Sequence, residues 1–465
     1  MVRTRIAPSP TGQDVHVGSV ATALMNYAWA KKNNGQFIIR IEDTDRTRLV
    51  PGGEEKMLDT LDKIGLHADE SPKIGGPHVP YRQSERLEKY KKYASELVSK
   101  GKAYYCICTP DRLTKMREEQ QAKKQIPKYD RKCYHDQEAV MKEIKEKNIK
   151  HVVRLLIPDG KVVFNDVVRG EVTIENQNLD DQVLLKSDGY PTYHLGVVVD
   201  DHLMGITHII RGEEWLPSTP KHVILYRAFG WELPVFVHVP LLRNPDKSKL
   251  SKRRNPVWTS WYVEKGIFPE ALLNYLALMG WSHPEGKEVF SLDEYIKVFD
   301  IKDIQKTAPV FDPVKLDWMN GEYIRKMDDK TLKEKITGFI GDGYDQELVG
   351  KTIPLVKERI KELSEYLPLT EFLFEAPKTY EADLKPKKEL FAKITEKMKN
   401  LSDWKAEAIG EAMGRVCEET QTKRGEFFMN VRVAITGKKI SPPLNESMEI
   451  LGKGECLKRL MKAIA

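Results

Sequence analysis

His16-Val17-Gly18-Ser19 and Lys249-Leu250-Ser251-Lys252-Arg253 contain the residue types that handle a nucleotide's phosphates. The first string follows Ile6-Ala7-Pro8-Ser9-Pro10-Thr11-Gly12 and opens a segment with apolar residues at Val20, Leu24, Tyr27 and Ala28, the spacing of one helical face. A strand, a tight loop and a helix are predicted. A helix N-terminus presents unpaired N–H groups and partial positive charge, so a histidine and a glycine there suit an anion approaching the backbone. The lysine-rich string reads as a clamp on the same phosphates. A third group is Cys106-Ile107-Cys108, followed after 24 intervening residues by Cys133-Tyr134-His135. Three thiols and an imidazole suit tetrahedral zinc, and four filled positions leave none for water, so the ion would be structural. Three buried cysteines without metal are the alternative.

The elements that must position these groups follow from periodicity. Gly35 ends the first helix, and Gln36–Ile41 reads as a buried strand running into the acidic turn Glu42-Asp43-Thr44-Asp45. Helical spacing returns at Met57, Leu61 and Ile64, then at Leu87, Tyr90, Ala94 and Leu97, with Ser84 as the cap and Gly101 as the stop. Strand-like runs at 162–164 and 171–174 suggest an α+β insertion between Cys106 and Asp181. Val197-Val198-Val199 and Ile206–Ile210 mark the α/β core resuming, with Thr219 as N-cap and Pro220 as first residue of the next helix. From Asp328 the spacing is helical, with strand character only at Val431-Arg432-Val433.

At 465 residues, two to four domains are expected. Hydrophobic residues at 40% and charged residues at 31% fit a globular chain. No apolar run approaches the ~18 residues of a membrane span, and Met1–Ile6 lacks the character of a signal peptide, so a cytoplasmic protein without membrane contact is expected. A net charge of +6 is compatible with a polyanionic partner without requiring one.

The ordered strings Arg5–Gly12, His16-Val17-Gly18, Arg40–Asp45, Lys186–His194, Asp200–Gly205, Arg211–Trp215 and Lys249–Arg253 resemble the bacterial type of glutamyl-tRNA synthetase, a class I aminoacyl-tRNA synthetase. The resemblance spans the whole chain. It implies an α/β fold: a split Rossmann catalytic domain (1–81 and 194–246) with an α+β acceptor-stem-binding insertion (82–193). A KLSKR loop and stem-contact domain (247–327) and an all-helical anticodon-binding region of two subdomains (328–465) would follow.

The implied reaction joins L-glutamate to ATP, used with Mg2+, as glutamyl-adenylate, then transfers the glutamyl group to the terminal adenosine of tRNA(Glu). AMP and pyrophosphate are released, and the family implies a monomer. Catalysis of such a displacement rests on positioning and charge stabilisation. By resemblance, His16 and Gly18 serve the phosphates and adenosine, Lys249 and Lys252 the departing pyrophosphate, and Glu214 and Leu242 border the ATP. Arg5, Ala7, Ser9, Glu42, Tyr193 and Arg211 match the glutamate contacts. Arginine suits the carboxylates because its planar fork meets both oxygens, and Glu42 suits the ammonium. A magnesium site at the Glu42–Asp45 turn is the lesser reading.

The resemblance also implies zinc at Cys106, Cys108, Cys133 and His135, with Tyr129 competing with His135. Trp215 is a weaker candidate, and Arg359, on a helix at Lys357–Ile360, lies roughly where the family reads the anticodon, although a solvated helix charge is the stronger reading of that residue. One departure stands out: the family often has Asn at the position of Val197, and valine cannot hydrogen-bond. The rival readings are an enzyme that glutamylates a modified tRNA base and a catalytically silent tRNA-binding paralogue. The helical tail opposes the first; His16, Lys252 and the arginines oppose the second.

Overall fold

Arg3–Ile6, buried along its whole length, forms strand β1 of the computed structural model, which describes residues 1–248, Leu250 and 256–464. It pairs in parallel with β2 (Gln36–Ile39), Arg3 opposite Gln36 and Ile6 opposite Ile39. The connecting helix, Val17–Lys32, is buried on nearly all sides by Val17, Val20, Ala23, Leu24, Met25 and Ala28, a wider face than the predicted stripe. The chain leaves it through Asn33 and through Asn34 at positive φ, one residue before the expected Gly35 stop.

The next strands are β3 (Ala103–Cys106), β4 (Val152–Leu155), β5 (Lys161–Asp166), β6 (Gly170–Glu175) and β7 (Val183–Leu185). β3, β4 and β7 make an antiparallel sheet, and β5 and β6 form a hairpin. Parallel pairing then resumes between β8 (His208–Gly212) and β9 (Val235–Val239), which β5 joins at Asp166 opposite Phe236. Thr207 ties β8 to the start of the chain: its N–H donates to the Arg3 carbonyl at 3.0 Å, and its hydroxyl accepts the Arg3 N–H at 2.9 Å. A β-α-β beginning and its parallel continuation thus meet directly, although an antiparallel sheet separates them in the sequence.

Met1–Trp261 with Leu272–Asp312 form one compact unit, and Tyr262–Ala271 with Pro313–Ala465 another. Among the described residues the second is helical, around two apolar clusters: one holds Leu332, Ile336, Val349 and Ile353, the other Phe391, Ile394, Met413, Phe427 and Val431.

Several local expectations give way to tertiary context. Val431–Val433, with their strand character, lie in the helix Arg424–Thr436, and the similar run Val197–Val199 lies in the helix Tyr193–Leu203. Burial overrides the extended preference of β-branched residues in both. Ser84 does not cap Leu87–Ser99; Arg86 stands at that N-cap, and the Ser84 N–H donates to Asp43. Thr219 is the first residue of its helix, Ser218 the N-cap, and the Thr219 hydroxyl is used by an arginine. Arg359 sits in the exposed turn after Gln346–Val356, not on a helix.

Candidate active site

His16 is the N-cap of Val17–Lys32, and its Nδ1 accepts the Gly18 N–H at 2.9 Å. An Nδ1 acting as acceptor places the ring proton on Nε2, which makes that edge a donor. A Cβ on Gly18 would stand 3.1 Å from His16 Nδ1, so the glycine leaves the imidazole its place. His16 can therefore do two things at once: Nδ1 caps the helix while the other nitrogen can donate to an anion.

The structure brings the chain downstream of the lysine-rich segment to this helix; Lys249 and Lys252 themselves lie outside the described residues. Leu250 lines the cleft, and its N–H donates to the Leu242 carbonyl at 3.3 Å. Beyond the segment, Val257 accepts the Val17 N–H at 2.9 Å, Thr259 donates to the Val15 carbonyl at 3.1 Å, and Ser260 donates to Asp14 at 2.7 Å. These bonds fasten the downstream flank beside His16.

A cleft of about 400 Å³ opens over the C-terminal ends of β1 and β8, where ligands of open parallel sheets bind. Arg5, Ala7, His16, Gly18, Glu42, Tyr193, Arg211, Glu214 and Leu242 all line it. Ser9 does not; it is exposed on the loop after β1. Trp215 lines it too, its ring 4.2 Å from that of Tyr193. Val197 supplies a buried apolar stretch of the wall.

Arg5 belongs to a network of buried charges. Its Nε and Nη2 donate to the two carboxylate oxygens of Asp201 at 3.0 and 3.1 Å. Arg40 donates to Asp201 at 2.8 Å and to Glu42 at 3.3 Å, and Arg86, Gln83 and Tyr90 donate to Asp200. Burial pushes the Glu42 carboxyl up to about 7, against the downward pull of Arg40 and Arg5. Asp201 is held low despite its burial, because Arg5 and Arg40 favour its ionised form. In the acidic turn itself, Asp43 accepts from Ser84 while Asp45 accepts from Thr47 and Arg48. The turn's carboxylates therefore do not converge on a common point.

Arg211 has different company. Its Nε donates to His238 Nε2 at 3.1 Å, Nη2 to the Thr219 hydroxyl at 2.8 Å and Nη1 to the Tyr193 hydroxyl at 3.1 Å, while His222 Nδ1 lies 3.3 Å from both terminal nitrogens. Periodicity gave no sign of these partners. Asp200 and Asp201, adjacent carboxylates ending an apolar helical run, were the signal available for the other network.

The cysteines also gather. The Sγ atoms of Cys106, Cys108 and Cys133 lie within 4.8 Å of one another, at the end of β3 and on the short helix Lys132–His135. His135, expected as fourth ligand, is exposed and outside this group. The Tyr129 hydroxyl is there instead, 3.4 Å from Cys106 Sγ and 3.2 Å from Cys108 Sγ. Hydrogen bonds from Cys133, and then from Tyr129 and Arg154, pull the Cys106 thiol down to about 4 against its burial. Arg154 also lies 4.2 Å over the Tyr129 ring.

Comparison with known proteins places this arrangement. Residues 1–318 match the family of class I tRNA synthetases (E and Q), catalytic domain, and residues 315–464 match an anticodon binding domain. A glutamate–tRNA ligase of Acidothermus cellulolyticus is 46% identical over all of this chain and 95% of its own length. One from Thermus thermophilus is 45% identical, with both chains fully covered. The crystal structure of a glutamate–tRNA ligase from Elizabethkingia meningosepticum, in complex with its amino acid, superposes with a TM-score of 0.88 at 38% identity, covering 100% of this chain and 99% of that one. A cleft at the ends of parallel strands, a helix capped by His16 and a helical second unit are thus found in a chain that belongs to the class I tRNA synthetases of the E and Q family.

Proposed function

We propose that the chain is a glutamate–tRNA ligase that activates L-glutamate with ATP and passes the glutamyl group to the terminal adenosine of tRNA(Glu). The carrying observation is the cleft itself, in which a cationic fork at Arg211 and the carboxyl of Glu42 stand within one cavity with the capped helix start. A substrate with two carboxylates and one ammonium needs such a set. Arg211 and Tyr193 take the side-chain carboxylate, Glu42 takes the ammonium, and Arg5 and Ala7 frame the rest. Ser9 would have to turn inward to contribute. The α-carboxylate is then left to attack the α-phosphate of ATP, with pyrophosphate leaving.

On the nucleotide side, His16 donates from Nε2 to the phosphates, Gly18 leaves room for adenosine, and Glu214 and Leu242 border the nucleotide. Lys249 and Lys252 would neutralise the departing pyrophosphate, its Mg2+ entering with the ATP. Losing one such donor costs about 3 kcal/mol, or roughly 10² to 10³ in rate.

The chain is divided functionally as the sequence suggests: catalytic halves at 1–81 and 194–246, an acceptor-stem insertion at 82–193, a stem-contact part at 247–327 and an anticodon-binding region at 328–465. Exposed Arg359 is a candidate reader of the anticodon. The thiols of Cys106, Cys108 and Cys133 fit zinc, and the Tyr129 hydroxyl completes the donor set better than His135. Bound there, zinc would hold the insertion together and take no part in the reaction. Five cysteines, none in a disulfide, fit a cytoplasmic setting, and no described helix is long and apolar enough to cross a membrane.

ATP–pyrophosphate exchange with glutamate and the matching tRNA tests the reading. Exchange well above that of a Lys252→Ala control is expected; exchange no greater than the control contradicts it.

A further inference from the structure

Arg211 is buried at the wall of the cleft, yet among the described residues none of the atoms that accept its hydrogen bonds belongs to a carboxylate. The four partners are two imidazoles and two hydroxyls. Each imidazole is fixed in one tautomer by what lies behind it. His238 Nδ1 is 2.6 Å from Asp166, whose carboxylate also accepts the His238 backbone N–H at 3.1 Å. The proton therefore sits on Nδ1, and Nε2 turns a lone pair to Arg211. His222 Nδ1 faces Arg211, so its proton sits on Nε2, 3.1 Å from His194 Nδ1. Thr219 accepts from Arg211 and lies 3.1 Å from the Trp215 carbonyl.

Thr219, His222 and His238 are almost wholly buried. Burial, and then the charge of Arg211, holds the His222 imidazole well below its usual range; burial likewise lowers His238 and takes His194 down to about 4. A proton on either inner imidazole would turn an acceptor into a donor aimed at a guanidinium. The cradle works only when neutral.

We propose that Asp166, Thr219, His222 and His238 are positioning residues that hold Arg211 through neutral acceptors alone, leaving its charge for the substrate's side-chain carboxylate and so separating glutamate from its uncharged amide. This rests on the reaction assigned above. A carboxylate in the cradle would satisfy the guanidinium in advance and remove the advantage of an anionic substrate. Neutral acceptors orient the fork without discharging it. Asp166 reaches Arg211 only through an imidazole, so it sets a tautomer without pairing with the arginine directly.

His222→Asn and His222→Asp test this, because the two replacements differ in charge but hardly in size, and each places an oxygen where Nδ1 now lies. In tRNA-dependent exchange the Asn variant should raise the glutamate KM by about threefold. The Asp variant should raise it roughly 10²-fold further, with the ATP KM within about threefold of wild type and the preference for glutamate over glutamine falling in step. Equal glutamate KM values in the two variants, or glutamate and ATP KM values moving in parallel, would overturn the proposal. If the Asp variant does not fold, histidine ¹⁵N signals of the wild-type protein at about pH 6 decide the matter. His222 should be neutral with its proton on Nε2, and His238 neutral with its proton on Nδ1. A charged His222, or a proton on its Nδ1, contradicts the cradle. A wild type without glutamate-dependent exchange contradicts the assigned reaction instead, and the histidine signals still decide the cradle.

Discussion

Arg5 and Arg211 line one cleft, and their surroundings differ in kind. Asp201 grips Arg5 with both oxygens and shares itself with Arg40, whose neighbours include Glu42 and Asp200. Arg211 rests on two imidazoles and two hydroxyls. Paired with a carboxylate, a guanidinium is largely a strut that fixes the geometry of a corner. Held by neutral acceptors, it keeps an electrostatic demand that an incoming anion can meet. The difference teaches that arginines matched to the same substrate by sequence can do separate work.

The largest expected effect lies on the neutral side. Arg211→Gln should lower kcat/KM for glutamate by roughly 10³-fold while changing that for glutamine far less, read by tRNA-dependent exchange with each amino acid. Parallel losses would erase the distinction drawn here. On the compensated side the effect should be structural. Asp201→Asn leaves Arg5 and Arg40 buried without their shared counter-ion, at a cost of about 3–5 kcal/mol, read as a lowered urea midpoint for the transition that reports this unit.

A smaller effect comes from pH. Glu42 is ionised only above about 7, so as pH falls below that value its carboxylate protonates and can no longer pair with the substrate ammonium. The kcat/KM for glutamate should therefore fall by up to about tenfold per pH unit on that limb. Glu42→Gln should lose the slope; a profile flat through about pH 7 in the wild type would assign the ammonium elsewhere.

Much of this architecture is legible in the sequence, for local reasons. His16-Val17-Gly18 announces a helix start, and the apolar run within Gln36–Ile39 announces the strand that follows the helix. Spacing also brings the three cysteines together, since only one β-strand end and one returning helix are involved. Legibility fails where a residue's partner is set by topology. Asp201 meets Arg5 across 196 positions, and Asp166 meets His238 across 72, because non-consecutive strands and a helix pack together. No local pattern encodes those pairings. His135 is a failure of another sort: it stands two residues from Cys133 and looked like a ligand, yet the chain turns its side chain to solvent while Tyr129 is buried among the thiols. The β-branched run at 431–433 misleads because burial within a helix offsets a modest extended preference.

The central claim is that Arg211 receives the side-chain carboxylate of glutamate while Glu42 receives its ammonium. A crystal structure of the protein with bound L-glutamate tests it most directly. The account predicts the side-chain carboxylate within hydrogen-bond distance of the Arg211 guanidinium and Tyr193, and the ammonium beside Glu42. A glutamate lying the other way round, with its α-carboxylate on Arg211 and its side chain elsewhere, would contradict it.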